Sequence, residues 1–552
     1  MERIWLKFYD KGVKSDIEIP KVPLFYFLLE TVKNFPEKDA YIFFDKRTKF
    51  KELLFKCRKF ASFLKENGIK KKDRVAFLLP NTPHFVISYY GTMMVGGIVV
   101  QLNPLLSDRE VSLLLKNSGS KILVILDILL PRFLNSIKSS NIDFLIVAQI
   151  DEYFPPFKRI GFKFFKILKG INRKLKGLKR KYFFFREIEN YKEIENFEKI
   201  DPEEDIASLQ YTGGTTGIPK GAMLTHYNLV ANTLQTMEWV PDLRKGEEVV
   251  MGVLPFFHVY GMSVALNFSI ASGSTLIIVP KFHTKEILEK IEKYKVTIFP
   301  GVPQMYQAIN NFKDIKKYKL STIRACISGA APLPPQVKDK FEELTGAKLV
   351  EGYGLSEASP VTHCNPLYGK NKRGSIGVPF PNTLAKIVDL EKGEKEMPIG
   401  EPGELILKGP QVMKGYWNNE EETKKVIRDG WLYTGDIAKM DEDGYFYILD
   451  RKKDLIIVSG FNVYPRNIEE VLLTHPKIKD VACVGIPYEK TGEGVKVFIV
   501  PKEGVSLTKE EVIEFSKKNL AKYEVPVEVE FVKEIPRTAV GKTLRRVLKE
   551  KS

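Results

Sequence analysis

The stretch from Tyr211 to His226 reads YTGGTTGIPKGAMLTH. Its segment 212–221 carries three hydroxyls (Thr212, Thr215, Thr216), three closely spaced glycines (Gly213, Gly214, Gly217) and one cation, Lys220, which Gly221 follows. Glycine lets the backbone take positive φ and approach a ligand closely. Successive N–H groups can then converge into a concave anion site. Threonine hydroxyls and a lysine ammonium add donors, so the ligand this pattern suits is a phosphate chain. It is not the Walker loop: the residue after Lys220 is glycine, and no G-x-x-x-x-G-K-[ST] match exists. A plain glycine-rich turn is the competing reading. Three threonines and a lysine in so short a stretch weigh against it.

A loop of this kind needs a strand to enter from, and Ile206, Leu209 and Tyr211 supply one. Upstream, apolar residues at helical spacing (Leu53, Leu54, Cys57, Phe60, Ala61, Leu64) predict a helix over 50–66. A strand at 75–79, a helix from about Thr82, a strand at 98–102, a helix from near Ser107 and a strand at 121–126 follow. Asp108 and Glu110 suit the first turn of that second helix. The rhythm returns with a strand at 274–279, a helix at 284–295 and a strand at 296–300. Such alternation predicts an α/β fold with largely parallel sheets. The apolar run 85–102 contains Gly91, Gly96 and Gly97 and reads as a buried helix entering a strand, not a membrane span.

The chain has 552 residues, too many for one core, so two or more domains are expected. The expected division is a body at 1–449 and a small mobile α+β domain at 450–552. In the latter, helices at 466–474 and 508–520 and strands at 481–486, 494–501 and 527–533 are predicted, and the charged segment 450–454 reads as a hinge. The net charge of +17 points to polyanionic partners, meaning nucleic acid, anionic membrane, or small molecules such as ATP and CoA. No zinc-finger spacing or RNA-binding aromatic signature is present, which disfavours nucleic acid. Cys57, Cys326, Cys364 and Cys483 are scattered, as expected of reduced thiols in the cytoplasm. The first residues hold no apolar run of the signal-peptide type.

Residues 155–186 break the pattern. Between Lys158 and Lys181 there are many Lys and Arg and no acid. Ile160, Phe164, Ile167 and Ile171 recur at helical spacing beside Phe165 and Leu168. Two readings stay open: a peripheral helix on an anionic membrane face, and a helix packed on the body by its aromatic side.

Further motifs follow in order: PFFHVYG at 255–261, SGAAPL at 328–333, EGYGLSE at 351–357, GEL at 403–405, Gly415-Tyr416, YTGD at 433–436, Asp450-Arg451 and PRTAVGK at 536–542. Together with the glycine–threonine stretch they resemble the adenylate-forming superfamily across nearly the whole chain. That group includes acyl-CoA synthetases, peptide-synthetase adenylation domains and firefly luciferase. The resemblance implies ATP-dependent activation of a carboxylic acid to an acyl-adenylate. It places Thr212 to Gly217 and Lys220 on phosphates, and Gly329, Ala330 and Ala331 under the adenine. Glu351, Gly352, Tyr353, Gly354 and Leu355 fall at the adenine, with Asp436 and Arg451 on the ribose. Lys542 would be the catalytic cation between acid and α-phosphate, and Glu357, with Thr216 or Thr212, the Mg²⁺ ligand. His258, Tyr260, Gly301 and Val302 are implied on the acyl side, and Ser459, Gly460 and Phe461 beside a CoA tunnel. His226 and His363 carry only a structural expectation.

Ile457 and Ser459 stand where luciferase has lysines, so light emission is not supported. The overall shape resembles bacterial long-chain fatty-acyl-CoA synthetases. Rival readings are an aryl (coumarate-type) CoA ligase, an acyl-AMP ligase that loads a carrier protein, and a non-catalytic nucleotide sensor. Lys542, Asp436 and Glu357 are all intact, which argues against the sensor.

Overall fold

The computed structural model describes residues 2–154, 159–162, 166, 169–212, 219–538 and 543–550. Its largest sheet has eight strands. In spatial order they are Gly415–Tyr416, Lys220–Thr225, Ile206–Thr212, Ile98–Gln101, Arg74–Leu78, Ile122–Leu126, Phe144–Ala148 and Tyr182–Phe184. From Ile206–Thr212 onward every pairing is parallel. The two strands at the other edge are antiparallel. The fold class expected from the sequence is therefore borne out.

The helices fall where the apolar spacing put them. Helix Phe50–Glu66 buries Leu53, Leu54, Cys57, Phe60, Ala61 and Leu64. Helix Asp108–Ser118 is closed by a capping box: Ser107 Oγ accepts the Glu110 N–H at 3.2 Å, and the Glu110 carboxylate accepts the Ser107 N–H at 2.7 Å. Gly119 ends it at φ 61°. Such a cap contributes about 1 kcal/mol. The apolar run after Thr82 forms helix Pro83–Met94, buried at every position, and leads into Ile98–Gln101. No helix among the described residues is long and apolar enough to cross a membrane. All four cysteines are free and buried.

A second parallel layer positions the rest of the site. Strand Ala325–Ser328 runs parallel to Lys348–Gly354, so the loops after both leave from the same edge. One departure concerns the strand expected at 296–300. There the chain makes single bridges only, Ile298 to Val250 and Ala325, and Gly301 to Ser328. The Thr297 hydroxyl takes the Val249 N–H at 2.9 Å, a donor that a regular ladder would give to a carbonyl.

An antiparallel sheet follows, with Leu384–Val388, Gly403–Lys408, Trp431–Met440 and Ile427–Arg428 in order and Phe446–Arg451 also paired with Trp431–Met440. The smaller C-terminal sheet contains Phe461–Val463, Ile456–Val458, Gly492–Pro501, Ile478–Tyr488 and Glu528–Phe531. Helices Pro465–Leu473 and Lys509–Asn519 accompany it. The short hairpin Ile456–Val458/Phe461–Val463 goes beyond the elements the sequence predicted.

In the basic insertion, Phe164, Phe165, Ile167 and Leu168 lie outside the described residues. Helix Ile171–Gly177 turns Ile171 and Leu175 inward, each 2% exposed, and Leu178 is buried beside them. Lys166 is buried between Asp127 (2.7 Å) and Asp151 (2.6 Å). These contacts match the packed reading of the stretch.

Candidate functional site

Strand Ile206–Thr212 leads into the glycine–threonine stretch at its carboxyl end, the end of the strands at which ligands bind in open α/β sheets. Gly213, Gly214, Thr215, Thr216 and Gly217 lie outside the described residues, as does Lys542. The loop's two ends are fixed by antiparallel pairing of Thr212 with Lys220. Lys220 is ion-paired with Glu422, and its ammonium stands 5.3 Å over the Tyr416 ring. The Tyr416 hydroxyl donates to Glu357 at 2.8 Å. Burial, with Glu357 beside it, pushes the Tyr416 phenol up, so it stays a donor. Glu357, expected as the metal carboxylate, thus shares one cluster with Lys220.

Asp436 lies in strand Trp431–Met440, opposite Arg451 of the neighbouring strand. Its side chain is 5% exposed. The Tyr353 hydroxyl donates to Oδ2 at 2.5 Å, and Arg451 Nε approaches Oδ1 at 3.1 Å. Thr434 Oγ1 accepts the Asp436 N–H at 3.1 Å, which sets the backbone. Burial holds the Tyr353 phenol well above its usual value, so it remains protonated toward the carboxylate. A buried carboxylate with two committed donors is an oriented acceptor pair. Glu404 reinforces the turn below by accepting the Gly435 N–H at 3.0 Å and Lys452 Nζ at 2.9 Å.

The loop Gly329–Ala331 follows strand Ala325–Ser328. Ala330 is exposed at φ 68°, a left-handed conformation that costs about 1–2 kcal/mol for a residue with a Cβ. Gly354 ends the neighbouring strand with no room to spare: a Cβ there would lie 2.1 Å from the Pro360 carbonyl oxygen. A Cβ on Gly352 would meet Ile327 at 2.7 Å. Leu355 is half-buried beyond it. Glu351 is buried on the same strand, and burial raises its carboxyl to about 7 against the pull of Arg466 and the Leu333 N–H.

A second group forms beside these loops. Tyr260 donates its hydroxyl to the carbonyls of Ile327 at 2.9 Å and Gly301 at 3.1 Å, and its ring closes on Gly329. His258 Nδ1 accepts the Tyr260 N–H at 3.2 Å, at the start of a helix that runs on as the π-helical turn Met262–Asn267. Such turns are frequent at functional sites. Val302 is buried and precedes helix Pro303–Asn310. Ser459 (φ 50°) and Gly460 (φ 84°) form the exposed turn of the C-terminal hairpin. Phe461 stacks there on Tyr523 at 4.6 Å. This turn makes no described hydrogen bond to the Asp436 cluster. His226 is buried and accepts the Leu24 N–H at 3.1 Å, and buried His363 lies 3.0 Å from the Thr362 hydroxyl.

Glu404 and Tyr416 lie within sequence motifs that assign them no role, and no motif contains Glu422. No spacing rule joins 220, 357, 416 and 422; they meet through the pairing of Gly415–Tyr416 with Lys220–Thr225, the Tyr416–Glu357 hydrogen bond and the Lys220–Glu422 ion pair.

A glycine–threonine stretch after a strand of a mostly parallel sheet, together with a buried carboxylate oriented by Tyr353 and Arg451, fits a nucleotide-using enzyme of the α/β class. The chain belongs to the AMP-binding enzyme family: that family's model matches residues 28–417, and the AMP-binding enzyme C-terminal domain matches residues 467–542. It is 46% identical to a long-chain-fatty-acid–CoA ligase of Bacillus subtilis over 550 residues, covering 100% of this chain and 98% of that one. A probable 4-coumarate–CoA ligase of Dictyostelium discoideum is 35% identical over 97% of this chain and 96% of its own. Among solved structures, ATP-bound MatB from Rhodopseudomonas palustris superposes with a TM-score of 0.80 at 30% identity, covering 96% of this chain and 98% of that one. The anthranilate–CoA ligase AuaEII with anthranoyl-AMP gives 0.83 at 25% identity, covering 97% and 98%.

Proposed function

We propose that this enzyme joins a long-chain fatty acid to CoA in two steps driven by ATP. The acid's carboxylate attacks the α-phosphate, giving acyl-AMP and pyrophosphate. The CoA thiol then takes the acyl group and AMP leaves. The observation that carries the first step is the buried Asp436 carboxylate, held by Tyr353 and by Arg451, whose guanidinium also lies within electrostatic reach of Glu357. Full-length similarity to long-chain-fatty-acid–CoA ligases supports the substrate class.

In this reading Asp436 accepts the ribose hydroxyls and Arg451 adds a donor. Gly329, Ala330 and Ala331 face Gly352, Tyr353, Gly354 and Leu355 across the adenine, with Glu351 beneath. Thr212 to Gly217 and Lys220 take the outer phosphates. Lys542 places its charge between the incoming carboxylate and the α-phosphate, because phosphoryl transfer is accelerated mainly by positioning and opposite charge. The loop carrying it is tied at its ends by the Arg537–Thr543 bridge and by Arg537 on Asp480 at 2.7 Å.

Glu357, Thr212 and Thr216 would hold Mg²⁺. One carboxylate with hydroxyls leaves positions for ATP oxygens and water, which suits that ion. Among the described residues no cluster of three acidic, His or Cys ligands exists that would hold it independently of ATP. When bound it supplies neutralisation of phosphate charge. His258, Tyr260, Gly301 and Val302 flank the acyl end. The segment 450–454 is the pivot that exchanges Lys542 for the Ser459–Phe461 turn at the CoA side.

The insertion supports one finer assignment, contact with an anionic lipid surface. Arg173, Lys176 and Lys179 face outward, and Ile160 is 60% exposed. Reversing those three charges should weaken binding to phosphatidylglycerol vesicles; unchanged binding removes the assignment.

The function itself is tested by pyrophosphate release across acids from acetate to oleate and with coumarate, with and without CoA. Turnover rising with chain length and acyl-CoA as product is expected. Coumarate preference, or acyl-AMP that accumulates unchanged with CoA present, overturns the reading.

A further inference from the structure

The partner that Lys220 holds is an acid. Lys220 opens strand Lys220–Thr225 at the mouth of the phosphate loop, and its side chain is 17% exposed. Glu422 Oε2 pairs with it, while Glu422 Oε1 accepts from Lys425 at 2.9 Å. Lys425 is 55% exposed and is shared with the exposed Glu421 at 2.7 Å. Glu422 sits in the first turn of helix Glu420–Val426, and the Asn419 side chain caps its N–H at 3.1 Å. The backbone under Glu422 is thus fixed while its carboxylate bridges a shielded lysine and a solvated one. Its carboxyl is held at about 2 by hydrogen bonds from Lys220 and Lys425, so it is an anion across the working pH range.

A triphosphate arriving at Lys220 brings negative charge against that anion. Two anions cannot share one ammonium at close range without a repulsive cost. Glu422 has a standing alternative in Lys425, so it can release Lys220 without becoming an unpaired charge. We propose that Glu422 is a positioning residue that stands in for the outer phosphates on Lys220, yields it to ATP by moving onto Lys425, and recaptures it as pyrophosphate departs. The inference rests on Lys220 being a phosphate ligand, as in the function above. It adds that pyrophosphate release is assisted by an internal competitor.

The competition fixes opposite signs for two neighbouring substitutions. Glu422→Gln removes the competitor, so KM for ATP falls and pyrophosphate inhibits at about fivefold lower concentration, a modest shift because the pair is partly solvated. Lys425→Met removes the alternative partner and leaves Glu422 on Lys220, so KM for ATP rises and pyrophosphate inhibition weakens by a similar factor. A merely structural role moves both variants the same way and leaves pyrophosphate affinity alone. The measurements are steady-state KM for ATP and the inhibition constant for pyrophosphate on the full-length enzyme, with melting temperature as a folding check. If Glu422→Gln does not fold, Lys425→Met carries the test. Pyrophosphate inhibition unchanged in a folded variant, or shifted the same way in both, overturns the inference. Absence of ATP–pyrophosphate exchange in the wild type with every acid would instead overturn the function on which it rests.

Discussion

Replacing Asp436 by Asn separates a nucleotide site from an internal ion pair. The two carboxylate oxygens have different partners, Tyr353 at 2.5 Å and Arg451 at 3.1 Å. Asparagine keeps the shape but offers one acceptor. With its oxygen on Tyr353, its NH₂ faces the Arg451 guanidinium, donor against donor. One charge-assisted bond is lost, worth about 1.5–3 kcal/mol. The Arg451 side chain is 36% exposed, so water recovers part of this. The folding cost is then nearer 1 kcal/mol. Binding loses more, because two ribose hydroxyls would have met an anion and now meet a neutral amide. A further loss of about 1.5–3 kcal/mol raises KM for ATP roughly 10- to 100-fold. The assay is pyrophosphate release at saturating acid, with melting curves taken in parallel with and without AMP. The AMP-induced rise in Tm should vanish in Asp436→Asn while the ligand-free protein still melts cooperatively. A KM for ATP within twofold of wild type would refute the assignment of Asp436 to the ribose.

Gly354→Ala forces a Cβ to within 2.1 Å of the Pro360 carbonyl oxygen, a backbone atom that cannot swing aside. The loop must shift, at about 1–3 kcal/mol, and ATP–pyrophosphate exchange should fall more than tenfold. Glu351→Gln should change the pH dependence of stability. The native carboxyl, near 7, lies above its unfolded value, so the native state binds more protons between about 4.5 and 7. Wild-type stability therefore falls as pH rises through that window and is level above it. The glutamine variant should melt higher than wild type at pH 8 and alike at pH 4.5; equal melting at both would place Glu351 in a solvated setting. Lys542→Ala should abolish acyl-AMP formation while leaving ATP binding nearly intact. Adenylate made at the wild-type rate would remove that lysine from the chemistry.

Elements set by local pattern were legible in the sequence. The helix over 50–66 announces itself by apolar spacing, and Ser107 with Glu110 announces the next helix start. The Asp39–Phe43/Lys46–Lys49 hairpin did not announce itself. Its turn residues, Phe44 and Asp45, take φ 46° and 64° without the glycine that normally marks such a turn. The bridges at 298 are backbone bonds between segments far apart in the chain, such as the Ile298 N–H to the Val249 carbonyl, with the Thr297 hydroxyl taking the Val249 N–H across 48 positions. At the site, Asp436 and Arg451 were readable as motif residues, whereas their ion pair came from strand register. Glu422 lies 202 positions from Lys220, so only the folded chain could reveal its pairing.

The way the site stores its charges bears on how it handles a polyanion. Its principal charged groups already have partners: Lys220 with Glu422, Arg451 with Asp436, Lys452 with Glu404. Each of these charges already faces an opposite one, so binding becomes an exchange of partners. The chain's excess of positive charge can then attract ATP from a distance, while under the site assignment proposed above the local pairs set where phosphate and hydroxyl groups stop. Long-range attraction should fade with salt over the Debye length, whereas the short pairs should not. The on-rate for ATP should therefore be the salt-sensitive quantity, and the order in which groups are exchanged should be the same at any ionic strength.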